Sequence, residues 1–443
     1  MTDDPYSKPA TGRLARMAKL ASLSARLSTD LVSRGVKRLA GESDTVASLL
    51  GSGAAEKLVA TLGDMKGLAM KLGQSMAMDP DMLTPEVRAI VARLQNQAPP
   101  MPWSLVEHVV TAQLGRPVAE LFSSFDEAPL AAASLGQVHR AVTRDGSAVA
   151  VKVQYPDIAD ALQADVQNLG ALVRTVSMTP GLSHGPKYFA ELREGLLSEL
   201  DYRQEARRLE RFAAAARFVP TLRVPAVHHA LTAEKVLTLE LLDGVTLKEF
   251  LRTIDTQPPD ERFRVARLLV HATWGPFLAD GVVHADPHPG NFLVLPDGRL
   301  GVLDFGAIKE MSKPWLDANL RLFGSFFGEN TYDAVADSAK AGMVFDDVAV
   351  ARPIVEAVIT ITTRSARSTD FDYGAAHINR DMRALFLGNP RAMTTIKPPP
   401  EAVNFFRAVG GMSNNLENLK ARGNFKALFR EVYELALKSR KSP

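Results

Sequence analysis

The chain has 443 residues, 52 Lys and Arg against 50 Asp and Glu, 46% hydrophobic residues and no cysteine. That length fits about two or three structural units or one large bilobal domain. The near-even charge gives no whole-protein signal for nucleic acid, and the missing cysteines exclude disulfides, thiolate catalysis and Cys-based metal sites. The opening residues, MTDDPYSKPA, have no apolar stretch of the secretory type. No run of about 18 uninterrupted apolar residues marks a membrane-spanning helix. These features lead to the expectation of a cytoplasmic protein, with no nucleic-acid partner.

Residues 12–40 read as a helix. Leu14, Met17, Leu20, Leu23, Leu27 and Leu31 recur every three or four positions, with Arg13, Arg16, Lys19 and Arg26 between them. Such a basic amphipathic helix either docks on its own domain or contacts a membrane surface peripherally. Helix continues over 44–78, broken near Gly51-Ser52-Gly53. Another spans 104–115 and ends at Gly115-Arg116-Pro117.

From about residue 120 the period changes. Residues 130–143 and 147–154 alternate and carry Val, the pattern of a hairpin around Asp145-Gly146. Helices are expected at 157–177 and 187–217, strands at 222–230 and 235–241, and helices at 246–254 and 260–280. The apolar run Leu268–Val283 reads as a buried helix leading into a loop. Beyond Asp304 the chain is mostly helical, ending in a basic helix at 425–441.

The stretch HADPHPGNFLVLPDGRLGVLDFG, His284 to Gly306, carries the most chemistry. It sets Asp286 and Asn291 five positions apart, then two short apolar strands about the turn Pro296-Asp297-Gly298, then Asp304-Phe305-Gly306. An Asp, an Asn and a D-F-G in this order are the catalytic parts of the protein-kinase core. Mg²⁺ takes hard oxygen ligands and keeps several waters, so the Asn291 amide and the Asp304 carboxylate suffice beside nucleotide phosphates. Asp286 could accept a proton or orient a nucleophile. Upstream, Ala148-Val149-Ala150-Val151-Lys152-Val153 is close to the strand lysine of kinases. Glu205 is the candidate carboxylate to hold that lysine.

Beyond these parts, the chain has an Ala-rich segment, Ala131-Ala132-Ala133-Ser134, where kinases carry a Gly-rich loop. Alanine does not readily take positive φ, so this loop should be stiffer. A K-x-G-Q motif stands at Lys71-Leu72-Gly73-Gln74, an E-x-D motif at Glu199-Leu200-Asp201, and a VKVQYP run at Val151–Pro156. With these motifs the chain resembles the UbiB/ADCK (AarF-type) family of atypical kinase-like proteins, most strongly over about residues 60–310.

The resemblance implies an α+β, bilobal protein-kinase-like fold with a helical N-terminal extension and a helical C-terminal lobe. The expected boundaries are 1–103 for the extension, 104–241 for the N-lobe and 242–443 for the C-lobe. It implies ATP and Mg²⁺ as cofactors, with Asp286, Lys152 and Glu205 catalytic and Asn291 and Asp304 on the metal. Ala131, Ala132, Ala133, Ser134, Lys152, Glu240 and Leu242 would bind nucleotide. Lys71, Gln74, Glu199 and Asp201 would form a regulatory lid, Lys71 pairing with Glu199. The implied activity is that of an ATPase supporting isoprenoid quinone (ubiquinone-type) biosynthesis or lipid handling at a membrane. Prenyl-lipid or quinone precursors and quinone-biosynthesis enzymes would be partners. A nucleotide-sensing pseudokinase scaffold and a small-molecule phosphotransferase are the alternatives. Several relatives carry C-terminal transmembrane helices. This chain ends in the basic 425–441 helix instead, so membrane attachment should be peripheral.

Overall fold

The computed structural model describes residues 100–133 and 135–156, the pieces 158–160, 162–163, 166–167 and 193, and residues 197–441. The expected helices at 12–40 and 44–78, Lys71, Gln74 and Ser134 lie outside the described residues. The chain divides into two compact units, Met1–Met101 with Ala132–Gln137 and Gln154–Leu200, and Pro102–Ala131 with Val138–Val153 and Asp201–Pro443.

In the first unit the Gln137 side chain clasps the backbone of Met101, accepting from its N–H at 2.7 Å. Gln154 donates to the Leu200 carbonyl at 3.2 Å. Both glutamines are almost fully buried, so such backbone contacts offset the cost of desolvating the amides. Glu199 is buried as well.

The second unit opens with α1 (Trp103–Leu114), which stops where the sequence indicated. Gly115 adopts φ +72° and donates to the Thr111 carbonyl, a left-handed cap that glycine supplies without a Cβ penalty. A five-stranded sheet follows. Its strands are β1 (Phe122–Phe125), β2 (Ala131–Ala133), β3 (Gly136–Thr143), β4 (Ala148–Gln154) and β6 (Val236–Glu240), in the order β1-β3-β4-β6 with β2 on β3. The β3–β4 turn has Gly146 at φ +88°, as Asp-Gly signals. The Ala-rich segment is therefore extended strand at Ala131–Ala133. Among the described non-glycine residues only His377 and Lys420 have positive φ, so these alanines need no glycine-like conformation.

Helix α2 (Tyr202–Ala216) starts afresh, and the helix expected across 187–217 does not pass through Asp201. The Asp201 carboxylate caps it by accepting from the Arg203 N–H, which satisfies one of the orphan donors of the first turn. The strand expected at 222–230 shrinks to β5 (Leu222–Arg223) and then gives way to a 3₁₀ turn at His229–Leu231. A second sheet orders β5, β10 (Leu300–Val302), β9 (Phe292–Val294) and β7 (Val245–Thr246). Helix α3 (Leu247–Arg252) carries a capping box, Thr246 and Glu249 bonding reciprocally.

Helix α4 (Pro259–Asp280) is the spine of the core. Val265, Leu269, Val270 and Leu278 are buried on several of its faces, the pattern of a fully enclosed helix. Gly275 sits where a Cβ would meet the Val219 side chain at 2.6 Å, so a larger residue there would push α4 away from the turn that follows α2. Gly281 closes α4 at φ +70° and turns the chain into β8 (Val282–His284). Strand β8 pairs antiparallel with β11 (Ile308–Glu310). The rest is helical, including α5 (Lys313–Phe326), α6 (Val348–Thr362), α7 (Ala402–Asn418) and α8 (Phe425–Lys441). The fold is thus mixed α+β. Among the described residues no helix is long and apolar enough to cross a membrane.

Candidate nucleotide site

The site is assembled where β8 and β11 pair. His284 opposes Ile308, and the Ala285 N–H bonds the Ala307 carbonyl at 3.0 Å. This pairing sets the Asp286 loop beside the Asp304-Phe305-Gly306 turn. The intervening β9–β10 hairpin holds register through three residue pairs, Leu300–Val294, Gly301–Leu293 and Val302–Phe292. The Leu303 N–H bonds the Asn291 carbonyl at 3.0 Å. A tight hairpin therefore carries both halves of the motif.

His284 fixes the loop from inside. Its Nε2 lies 2.5 Å from the Asp304 carbonyl oxygen, and its Nδ1 accepts from the Asp286 N–H at 3.3 Å. Only the neutral ring protonated at Nε2 satisfies both. Burial pushes its pKa down, against the opposing pull of Asp286 and the bond to Asp304, in keeping with that tautomer. His284 packs against Phe212 of α2 and against Phe305, itself fully buried. Burial likewise lowers the His288 pKa. His288 Nδ1 accepts from the Gly290 N–H.

Lys152 on β4 reaches Glu205 on α2, with Nζ 2.8 Å from Oε1 and 2.9 Å from Oε2. It also lies 3.8 Å from Asp304 Oδ2 and 4.9 Å from the Tyr202 ring centroid. Burial disfavours the ammonium. The Glu205 and Asp304 charges outweigh it and raise the Lys152 pKa well above its ordinary value. The lysine is thus a fixed buried cation whose carboxylate partners hold it in place. Gly306 N–H donates to Asp304 Oδ1 at 2.9 Å, which orients the D-F-G carboxylate. Arg208 of α2 donates to the Gly306 carbonyl at 3.2 Å.

Asn291 turns its amide nitrogen to Asp286, donating to the carbonyl at 3.2 Å and to Oδ2 at 3.1 Å. This leaves the amide oxygen as the atom able to ligate a cation. Among the described residues no group of three or more His, Asp or Glu could hold a metal. A donor set of one amide and one carboxylate suits Mg²⁺ shared with phosphate oxygens rather than a protein-only cage.

Two contacts had no signal in the sequence. Arg407 of α7 donates to Asp286 Oδ1 at 3.4 Å, across 121 positions. Asn415, also on α7, donates to the Pro287 carbonyl at 2.8 Å. Glu240 is the last residue of β6, and Leu242 lies in the connector after it. The Glu240 carboxylate pairs with Arg223 and accepts from the Ala226 N–H at 3.2 Å. Leu242 approaches Gly301, where a Cβ would meet its Cδ1 at 3.1 Å. The described contacts of Asp201 are those of a helix cap. Ala132, Ala133 and Glu199 belong to the first unit.

Residues 93–338 match the ABC1 atypical kinase-like domain. The chain belongs to this family. It is 30% identical to the mitochondrial atypical kinase COQ8B of Rattus norvegicus, a match covering 98% of this chain and 83% of that one. It is 27% identical to mitochondrial atypical kinase COQ8 of Saccharomyces cerevisiae over 96% and 86% of the two chains. Among solved structures, the Rv3197–erythromycin complex from Mycobacterium tuberculosis superposes with a TM-score of 0.60 and 32% identity. That match covers 87% of this chain and 97% of the other. The protein is therefore a member of a kinase-like enzyme family, and its fold is of the nucleotide-binding kinase type.

Proposed function

We propose that this protein is an ATP- and Mg²⁺-dependent atypical kinase-like ATPase acting in isoprenoid quinone biosynthesis. One observation carries the nucleotide reading. Lys152 is held by Glu205 within 3.8 Å of Asp304, and the Asp304 carbonyl is tied through His284 to the Asp286 loop. Four groups of the kinase constellation are thus linked by hydrogen bonds and one ion pair.

Each residue has a role that its chemistry supports. Lys152 is a rigid cation suited to phosphate oxygens. Asp304 and the Asn291 amide oxygen would hold the cation, which when bound neutralises charge on the phosphates. Asp286, its two carboxylate oxygens engaged by Arg407 and Asn291, is suited to orienting the attacking group. Ala131–Ala133 and Ser134, with Glu240 at the end of β6 and Leu242 just beyond it, would border the nucleotide. Lys71 and Gln74 would act as a lid with Glu199 and Asp201. A pure scaffold has no need of Lys152, Asp286, Asn291 and Asp304 together.

Asp304→Asn tests the site. It should remove thermal stabilisation by Mg-ATP and leave the unliganded protein folded. Unchanged stabilisation would sink the assignment. The pathway rests on the COQ8 relatives, and peripheral membrane recruitment on the basic 12–40 pattern. Phosphate release measured with and without anionic vesicles and a quinone-head-group mimic tests both. A rate indifferent to either addition would argue against them.

A further inference from the structure

Each residue of Asp304-Phe305-Gly306 is met by one stripe of α2. Glu205 addresses Asp304 through Lys152, whose Nζ stands 2.8 Å from Glu205 Oε1 and 3.8 Å from Asp304 Oδ2. The Phe212 ring packs against Phe305, at 5.8 Å between centroids. Arg208 lies between these two on the helix, and its Nη1 donates to the Gly306 carbonyl at 3.2 Å. Positions 205, 208 and 212 are three and four apart, so the helix presents them on one face. The lysine, its glutamate and the turn aspartate have roles in the kinase constellation. Arg208 has none there.

Arg208 is not what docks the helix. Leu209 and Phe212 are buried in the core. Arg211 ties α2 to Asp280 at 2.6 Å and to Glu310 of β11 at 3.0 Å. The Arg208 bond goes instead to the backbone of the one turn residue without a Cβ. Gly306 has the least restricted φ and ψ of the three, so the peptide planes on its two sides need external holds. Asp304 Oδ1 takes the N–H of one plane at 2.9 Å. Arg208 takes the carbonyl of the other, and its charge makes that bond stronger than one between neutral groups. Lys152, Asp304, the Gly306 backbone and Arg208 thus close a ring of contacts that starts at Glu205 and returns to the same helix one turn later.

We propose that Arg208 is a positioning residue for the Asp304 carboxylate. By fixing the Gly306 carbonyl it keeps the Gly306 N–H on Oδ1, and so keeps Oδ2 turned to Lys152. The consequence for Mg²⁺ rests on Asp304 being the metal carboxylate. The consequence for the turn itself does not.

The test uses the full chain and Arg208→Met, which keeps the aliphatic stem and removes the donors. Amide hydrogen exchange without nucleotide compares the Gly306 N–H with the Ala285 N–H, which bonds the Ala307 carbonyl just beyond the turn. In the variant Gly306 should exchange roughly tenfold faster or more, and Ala285 should not change. Calorimetric titration with ADP is then run in excess Mg²⁺ and in EDTA. Affinity with Mg²⁺ should fall roughly tenfold, affinity in EDTA should hold, and Arg208→Lys, which keeps a charged donor, should lie between. Unchanged exchange at Gly306, or an equal rise at Ala285, would mean helix docking only and would overturn the proposal. So would wild-type Mg²⁺ dependence in Arg208→Met beside an Asp304→Asn protein that has lost it. An Asp304→Asn protein with wild-type Mg²⁺ dependence would overturn the metal reading instead, and the exchange comparison then decides the role of Arg208. Should Arg208→Met fail to fold, Arg208→Lys carries the same comparisons.

Discussion

Arg407 Nη2 on α7 lies 3.4 Å from Asp286 Oδ1, so a cation from a distant helix touches the loop aspartate. The same helix holds that loop through Asn415, whose amide donates to the Pro287 carbonyl. Asn291 takes the other Asp286 oxygen. The carboxylate is thereby oriented from two sides, one inside the motif and one outside it. Arg407→Met should lower kcat for phosphate release by about 10- to 100-fold, the value of a charge-assisted hydrogen bond of about 1.5–3 kcal/mol. KM for ATP should change little, because the contact is to Asp286 and not to the lysine or metal positions. Arg407→Lys keeps the charge and should recover part of the loss. A Met variant with wild-type turnover would remove Arg407 from the site.

Lys152 and Glu205 invite a double-mutant cycle. Lys152→Met leaves the nearly inaccessible Glu205 carboxylate without its main partner, and should destabilise the protein by about 3–5 kcal/mol. Lys152→Met/Glu205→Met should be less destabilised than the two single changes summed, because no charge is stranded. Both proteins should lose nucleotide affinity. The Lys152 pKa is raised, so its stabilising contribution is complete below the ordinary lysine value of 10.5 and is lost only as pH rises through the folded value. Denaturant midpoints for the four proteins give the coupling. Simple additivity would show the pair to be energetically independent.

The site was legible in the sequence to the extent that its chemistry is local. Asp286, Asn291 and Asp304 fall within one hairpin, whose turn chemistry and apolar strands announce themselves at short range. Gly115, Gly146 and Gly281 likewise end or turn their elements as their positions suggested. What was not legible is tertiary. Nothing near Arg407 or Asn415 in sequence marks them, since their partners lie more than a hundred residues away. The strand expected over 222–230 stops at Arg223 because Pro225 cannot donate to a ladder, and the chain at His229–Leu231 folds into a 3₁₀ turn. The 187–217 helix was drawn straight through Asp201, although an Asp before Tyr-Arg-Gln-Glu is itself a cap signal.

The extended conformation of Ala131–Ala133 changes what a glycine there would do. Alanine fits the strand, so Ala133→Gly gains no needed dihedral and adds only unfolded-state freedom. It should cost about 0.5–1 kcal/mol of stability. If this segment borders the nucleotide, the added freedom should also shift the ratio of ATP to ADP affinity. Thermal unfolding and nucleotide titration report the two effects separately. A loss of stability with identical affinities would confine the segment to a structural role.

His271 sets a pH dependence that can be read without any ligand. It is buried on α4, its Nδ1 2.9 Å from Thr221 Oγ1 and its Nε2 3.6 Å from Glu431 on α8. Burial pushes its pKa down to about 4, against the pull of the Glu431 carboxylate and with a small push from Arg267. The unfolded chain takes up this proton near the ordinary value of 6.5, whereas the folded chain stays neutral until about 4. Between those values the unfolded state binds more protons, so stability is full above 6.5 and declines as pH falls toward 4. The loss from this one residue is at most on the order of 3 kcal/mol, since each pKa unit is worth about 1.4 kcal/mol. Burial lowers His284 and His288 in the same direction, so removing His271 should flatten the slope and not abolish it. Glu431 is held below the usual carboxylate range by its bond to Arg267, and its contribution is lost at lower pH still. His271→Gln keeps a neutral polar group beside Thr221 and cannot titrate. Unfolding midpoints compared at about pH 7.5 and about pH 5 should fall less in this variant than in the wild type. Equal falls in the two proteins would mean that His271 is not the group responsible.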